Sequence, residues 1–344
     1  MKIGSIDLSE RVMIVAELSA NHGHDIDIAK RTIKSAKDCG ADAIKVQTYT
    51  ADTLTIQCSN EYFTLNSGTI WDGKTLYDLY NDAFLPWEWH YELMKYANDL
   101  GLVFFSTPFD HSAVDFLEKI NVPAYKVASF EIVDTELIEY IASKQKPIIL
   151  STGIASLGDI EDAIHACHKA GNYQIVLLKC TSSYPAKIED ANLLTMANMK
   201  QTFNTEVGLS DHTLGISVAV ASVALGARVI EKHFILDKSI GGPDSLFSME
   251  PTEFASMVKS VREVEKAIGS VDYTMTESKL KNKKLARSLF VVENMKEGDV
   301  FTNFNVRSIR PGYGLSPKFL PEIIGKVAAM NIERGTPISW GMIR

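Results

Sequence analysis

Two histidines carry the most chemistry in this chain. His212 closes the run Ser210-Asp211-His212, and His233 closes Glu231-Lys232-His233, with an Ala/Val-rich stretch between them. The span 206–234 reads as strand, helix, strand, so each polar cluster falls at the carboxyl end of a strand. In parallel α/β sheets and barrels those ends share one face, and ligands bind there. The two imidazoles would then stand close enough to share a divalent metal. The plainer alternative is a pair of satisfied histidines capping their strands, since His is only intermediate in burial.

The other strand ends tip the balance, because they are loaded in the same way. The first strand-like run ends in Glu17, followed by Ser19, Asn21 and His22. The second carries Lys45 and Gln47, two apart and so on one face. Further runs end in Ser106-Thr107, in Lys126 through Ser129 to Glu131, in Ser151-Thr152, and in Lys179 through Thr181 and Ser182 to Tyr184. Glu231 and His233 share parity and should both face inward. A lysine inside a strand is costly to bury unless it meets an anion. One solution is ion pairing with Glu17, Glu131 and Glu231. The other is a phosphate-like ligand among the hydroxyls, which lysines and backbone N–H groups would bind. Gly241-Gly242-Pro243-Asp244 reads as a turn with an acidic tip, and beside such a site it could hold a polyol. His24, His90, His111, His165 and His168 read as ordinary surface or core residues.

The elements that would position these groups alternate regularly. Short β-branched runs at 12–16, 43–46, 102–106, 124–127, 147–150, 175–179, 207–209 and up to His233 are separated by amphipathic helical stretches. About eight βα units is the count of a (β/α)8 TIM barrel. An open doubly wound sheet is the runner-up, but no Gly-rich dinucleotide fingerprint follows any strand. Residues 50–85 form an excursion expected to be a lid or extra hairpin. Pro251 should open a last barrel helix with Phe254, Met257, Val258, Val261, Val264 and Ile268 on its apolar face, ended by Gly269. The expected division is a catalytic barrel over 1–269, a polar linker over 270–283, and a small β-rich module over 284–344. Two half-repeats mark the module, Glu297-Gly298-Asp299 and Arg334-Gly335-Thr336.

Composition narrows the function classes. A formal net charge of -8 over 344 residues argues against nucleic acid or an anionic membrane as the main partner. Four cysteines without metal-ligand spacing read as reduced structural thiols. Neither a signal-peptide core nor a membrane-length apolar run is present, so the expected location is the cytoplasm.

The ordered motifs AEL-x-x-NH at 16–22, DAIKVQT at 42–48, STPF at 106–109, YKVAS at 125–129 and LSTG at 150–153 resemble the sialic acid (nonulosonic acid) synthase family. So do KCTSSYP at 179–185, GLSDH at 208–212, EKHF at 231–234, GGPD at 241–244 and ARS at 286–288. The resemblance covers essentially the whole chain, and the C-terminal module is similar to that family's antifreeze-like (SAF) domain. It implies condensation of phosphoenolpyruvate (PEP) with an open-chain amino sugar and water, with release of phosphate by C–O cleavage. His212 and His233 would hold the divalent metal (Mn, Mg or Co). Lys45, Thr107, Lys126, Ser129, Ser151 and Ser182 would bind PEP, and Glu17, Gln47, Tyr184 and Asp244 would line the sugar site. Glu17, Glu131, His212 and His233 would be the catalytic residues, with Glu131 a candidate proton-transfer group near the phosphate. Arg287 would reach the sugar's acylamino group in a partner's barrel, within a domain-exchanged homodimer. Several relatives carry Asn where this chain has Ser182.

AELSANH, the YT after VQT, and WDGKTLYDLY at 71–80 resemble the branch that makes pseudaminic acid from 2,4-diacetamido-2,4,6-trideoxy-altrose. N-acetylmannosamine and the legionaminic acid precursor are the alternative sugars. A metal-dependent pyruvate aldolase and an ice- or glycan-binding protein are more distant readings. The loaded strand ends disfavour both.

Overall fold

The computed structural model describes residues 1–66, 68 and 71–344. Two compact units divide the chain, Met1–Gly269 and Ser270–Arg344.

In the first unit eight parallel strands close a barrel: β1 (Met13–Glu17), β2 (Ala43–Thr48), β3 (Val103–Pro108), β4 (Tyr125–Val127), β5 (Ile148–Ser151), β6 (Ile175–Cys180), β7 (Glu206–Asp211) and β8 (Val229–His233). β8 pairs with β1 to complete the ring. Strand period 2 divides each sequence between two environments. Ile14, Ala16, Ile44, Val46, Phe104, Tyr125, Val127, Ile148, Leu150, Leu177, Leu209 and Ile230 face the surrounding helices in one apolar layer. The alternate residues face inward, and at the strand starts they are apolar too. Met13, Val15, Ala43, Phe105, Ala124, Ile149, Val176, Leu178 and Val229 pack with Ile3, Ile6 and Leu8. Those three come from the ribbon Lys2–Ile3 against Ile6–Asp7 and the residue after it, which plug this end of the barrel. Gly208 is required by the crowding inside, because a Cβ there would strike the Val229 carbonyl oxygen and, at 2.7 Å, Leu178. With one end sealed by apolar side chains, the inward polar residues gather at the other.

The helices follow their local signals. Ile26–Asp38 begins at Asp25, whose carboxylate accepts from the N–H groups of Asp27 and Ile28, and Gly40 at φ +91° follows its end. Pro251–Ile268 buries Phe254, Met257, Val258 and Val261. Ile268, expected on that apolar face, is the last residue of the helix and is exposed. The helix between β6 and β7 is confined to Leu194–Phe203, after a 3-10 turn at Ile188–Ala191. The excursion after β2 holds helices Ala51–Leu54 and Leu76–Ala83 around an isolated antiparallel bridge, Thr64 to Thr75. Ser67, Thr69 and Ile70 of that stretch lie outside the described residues. Among the described residues no helix is long and apolar enough to cross a membrane.

The second unit has its own core of Leu289, Val291, Met295, Phe301, Val306, Ile323, Ala328, Ile332 and Ile338. Its antiparallel pair, β9 (Ser288–Val291) and β10 (Val306–Ile309), is supplemented by single bridges such as Met295–Ile332. Gly298 and Gly335, one from each half-repeat, share φ +89°, so the sequence repeat is a repeated turn. The polar stretch 270–283 carries a short helix, Glu277–Lys283, capped by the Thr276 hydroxyl.

Candidate active site

Barrel closure brings the ends of β7 and β8 together, and the His212 and His233 rings stand 5.3 Å apart between centroids. Both are buried. His212 Nδ1 lies 3.0 Å from the Thr181 carbonyl oxygen. A carbonyl only accepts, so Nδ1 carries a proton. Such a backbone partner is the usual orienting contact of a metal-bound imidazole. His233 Nδ1 is buried without a hydrogen-bond partner, 3.8 Å from Asp244 Oδ2. Burial first, then the positive charge of His212, Lys45 and Lys232, drives the pKa of His233 well down and keeps the ring neutral. Neutral imidazole with an uncommitted nitrogen suits a divalent ion. Among the described residues no three His, Cys, Asp or Glu side chains form a metal cluster. Two imidazoles would leave the remaining positions of such an ion to substrate or water.

A carboxylate–lysine chain crosses the barrel mouth beside the imidazoles. The register sets Glu17 opposite Lys45 and His233 opposite Glu17. Lys45 Nζ lies 3.1 Å from Glu17 Oε2 and 3.5 Å from Glu231 Oε1, and donates to Thr107 Oγ1 at 3.3 Å. For Lys45, then, ion pairing is the arrangement observed. Gln47 Nε2 donates to Glu17 Oε1 and to Ser19 Oγ, both at 3.0 Å. Ser210 Oγ donates to Glu231 Oε1 at 3.1 Å. Glu231 Oε2 is buried without a hydrogen-bond partner and can accept from a bound molecule, whereas Glu17 Oε2 faces Lys45. Burial pushes Glu17 up to about 7 against the pull of Lys45. Glu231 is held below its ordinary value: burial opposes this, but Lys126, Lys45 and His212 outweigh it.

Lys126 behaves differently. Among the described residues it makes no ion pair, and its Nζ donates to Ser151 Oγ at 2.5 Å and to the Val127 carbonyl at 2.9 Å. Burial lowers its pKa, only partly countered by the charge of Glu231. Ser182 Oγ donates to Ser129 Oγ at 2.9 Å, and Ser129 Oγ accepts from the Ile154 N–H. These groups surround Gly153, where a Cβ would overlap the Ser182 hydroxyl and come within 2.6 Å of that of Ser129. A cation, three hydroxyls and a bare backbone make a cradle for an anion. Glu131 stands in the 3-10 turn that follows β4. Its Oε2 is buried without a partner, and burial pushes its pKa up to about 7 despite Lys126.

Aromatic rings wall the other side. Tyr184 lies 4.5 Å from His212 and 5.1 Å from Phe247, and Phe247 lies 4.8 Å from His233. Asp244 accepts a short hydrogen bond from Ser19 Oγ. Arg287 belongs to the second unit, where it is exposed and donates to the Ser308 carbonyl at 3.0 Å. The barrel thus assembles every sequence-predicted site residue except Arg287.

Sequence reasoning misses several contributors. Cys180, which reads as structural, sits 3.9 Å from His212 Nδ1. Burial would raise its pKa, but contact with His212 lowers it on balance, and His212 is raised in turn. Its even spacing from Leu178 is the available signal, since both face inward. Phe247 and Trp71 are placed by loops, whereas Ser19 is already marked by its place after the first strand.

The family model described as the NeuB family matches residues 32–273, and the SAF domain model matches 286–344. The chain belongs to the NeuB family. It is 46% identical to a pseudaminic acid synthase of Campylobacter jejuni over 341 residues, 99% of each chain. It is also 46% identical to a pseudaminic acid synthase of Helicobacter pylori, over 95% of this chain and 96% of that one. Among solved structures it resembles the N-acetylneuraminic acid (sialic acid) synthetase of Leptospira borgpetersenii in complex with citrate. The TM-score is 0.72 at 32% identity, covering 82% of this chain and 94% of that one. The closed barrel followed by a small SAF domain is the architecture of this NeuB-family enzyme.

Proposed function

We propose that the chain condenses PEP with 2,4-diacetamido-2,4,6-trideoxy-altrose and water, forming pseudaminic acid and phosphate. One observation carries the reading: a pair of buried imidazoles and a lysine–serine anion cradle open on the same barrel mouth. The identity to two pseudaminic acid synthases supports the choice of sugar.

In this reading Lys126, Ser129, Ser151 and Ser182 hold the phosphate of PEP, with Lys45 and Thr107 on its carboxylate side. Glu17, Gln47, Tyr184 and Asp244 orient the open-chain sugar so that its aldehyde faces C3 of PEP. A C3–C1 bond forms, water adds at C2, and the C2–O bond breaks to release phosphate and leave the ketone. Glu17 and Glu131, both poised near 7, are suited to accept and return the protons of water addition and phosphate departure. His212 and His233 would hold a divalent ion (Mn, Mg or Co), which when bound would supply a Lewis acid for the aldehyde oxygen. The barrel over 1–269 is the catalytic domain. The SAF domain over 284–344, joined by 270–283, carries Arg287 to a partner's sugar site in an exchanged homodimer. PEP is a cytoplasmic metabolite, and the enzyme is assigned to that compartment.

Phosphate release from PEP, with and without divalent metal, tests this. The panel is the altrose sugar, the legionaminic acid precursor and N-acetylmannosamine, with product masses recorded. Metal-dependent release with the altrose sugar alone is expected. Release with another sugar alone would move the enzyme within its family, and release with none would refute the chemistry.

A further inference from the structure

The excursion between β2 and β3 delivers Trp71 to the barrel mouth. Its indole N–H donates to the Pro243 carbonyl at 3.1 Å, next to Asp244. Its ring lies 5.7 Å from that of Tyr184, which itself lies 4.5 Å from His212. His212, Tyr184 and Trp71 therefore form successive steps of one aromatic wall leading away from the imidazole pair. With the N–H committed to the loop, what the half-buried indole presents is its apolar ring.

We propose that Trp71 is the specificity-determining platform for the apolar end of the sugar, the 6-methyl group. This rests on the substrate reading above. An open six-carbon chain spans roughly 6 Å, at about 1.25 Å of advance per C–C bond. With its aldehyde at the imidazole pair, the far carbon passes Tyr184 and arrives at the next ring. Phe247 is buried against the two histidines and Tyr184, and the remaining lining, Glu17, Lys45, Gln47, Ser19 and Asp244, would serve hydroxyl and amide groups rather than a methyl. Trp71 supplies the apolar surface a 6-deoxy sugar needs and a 6-hydroxy sugar does not.

The test compares wild type, Trp71→Ala and Trp71→Phe with the 6-deoxy altrose sugar and its 6-hydroxy counterpart. One methyl contact in an apolar pocket is worth about 10- to 200-fold in kcat/KM. Trp71→Ala is expected to lose about 10- to 100-fold with the 6-deoxy sugar, mainly through KM. It should change little with the 6-hydroxy sugar and keep the KM for PEP. Trp71→Phe, which keeps an apolar face but loses the N–H, should lie nearer wild type than Ala. Parallel losses with both sugars, or a raised KM for PEP, would show that Trp71 only braces the Pro243 loop and overturn the proposal. Failure of wild type itself with the 6-deoxy sugar would overturn the substrate reading, and the proposal with it.

Discussion

Replacing Glu131 by Gln should stabilise the metal-free enzyme at alkaline pH and not at acid pH. Burial moves the Glu131 carboxyl from an ordinary 4.5 to about 7, because Oε2 is shut off from water with no hydrogen-bond partner. A folded-state pKa above the unfolded one contributes stability that is fully present below pH 4.5 and lost as pH rises through 7. A tenfold change in proton affinity corresponds to about 1.4 kcal/mol, so the ionised carboxylate at pH 8 costs up to about 3 kcal/mol. Gln keeps the shape and cannot ionise. Urea denaturation of both proteins at about pH 4.5, 6, 7 and 8.5 should give nearly equal midpoints at the lowest pH. The variant should then gain steadily through neutrality. Taking the difference between the two proteins cancels the titration of Glu17, which is displaced in the same direction. A difference that stays flat across this range would mean that Glu131 is solvated, and would remove it as a proton-transfer group. The same variant should lose about 10²- to 10⁴-fold in kcat.

Two further outcomes follow from the packing. Gly153→Ala should raise the KM for PEP by an order of magnitude or more, because its methyl would displace the Ser129 and Ser182 hydroxyls. Steady-state kinetics with the sugar saturating would show this, and an unchanged KM would dissociate the serine cluster from the anion. Lys232 Nζ meets Asp211 Oδ2 at 2.7 Å on the helix-facing side of β8 and β7, with both side chains buried. Lys232→Met should cost about 3–5 kcal/mol by stranding that carboxylate. Asp211→Asn added to it should recover much of the loss, since Asn keeps an acceptor for Thr213. Thermal melts of the single and double variants decide whether the pair is coupled.

The strand ends show how far sequence reasoning reaches and where it stops. Lys45 and Gln47, or Glu231 and His233, can be assigned a shared inward face because strand period 2 needs no tertiary information. Their position at one end of the barrel comes from counting βα units, and the structure closes that barrel. Which partner each lysine takes is not legible. Lys45 is fixed between Glu17 and Glu231 only when β8 meets β1, strands that lie near opposite ends of the barrel sequence. Lys126, of the same type and also facing inward, falls among hydroxyls instead.

Local period and residue type are enough to establish the alternation of elements, the inward set of side chains and the chemistry clustered at strand ends. The contacts of Cys180 with His212, Ser19 with Asp244, and Trp71 with Pro243 exist only in the folded chain. Each joins separate strands or loops, and the distance between such groups is set by barrel closure and loop docking, which no local pattern encodes.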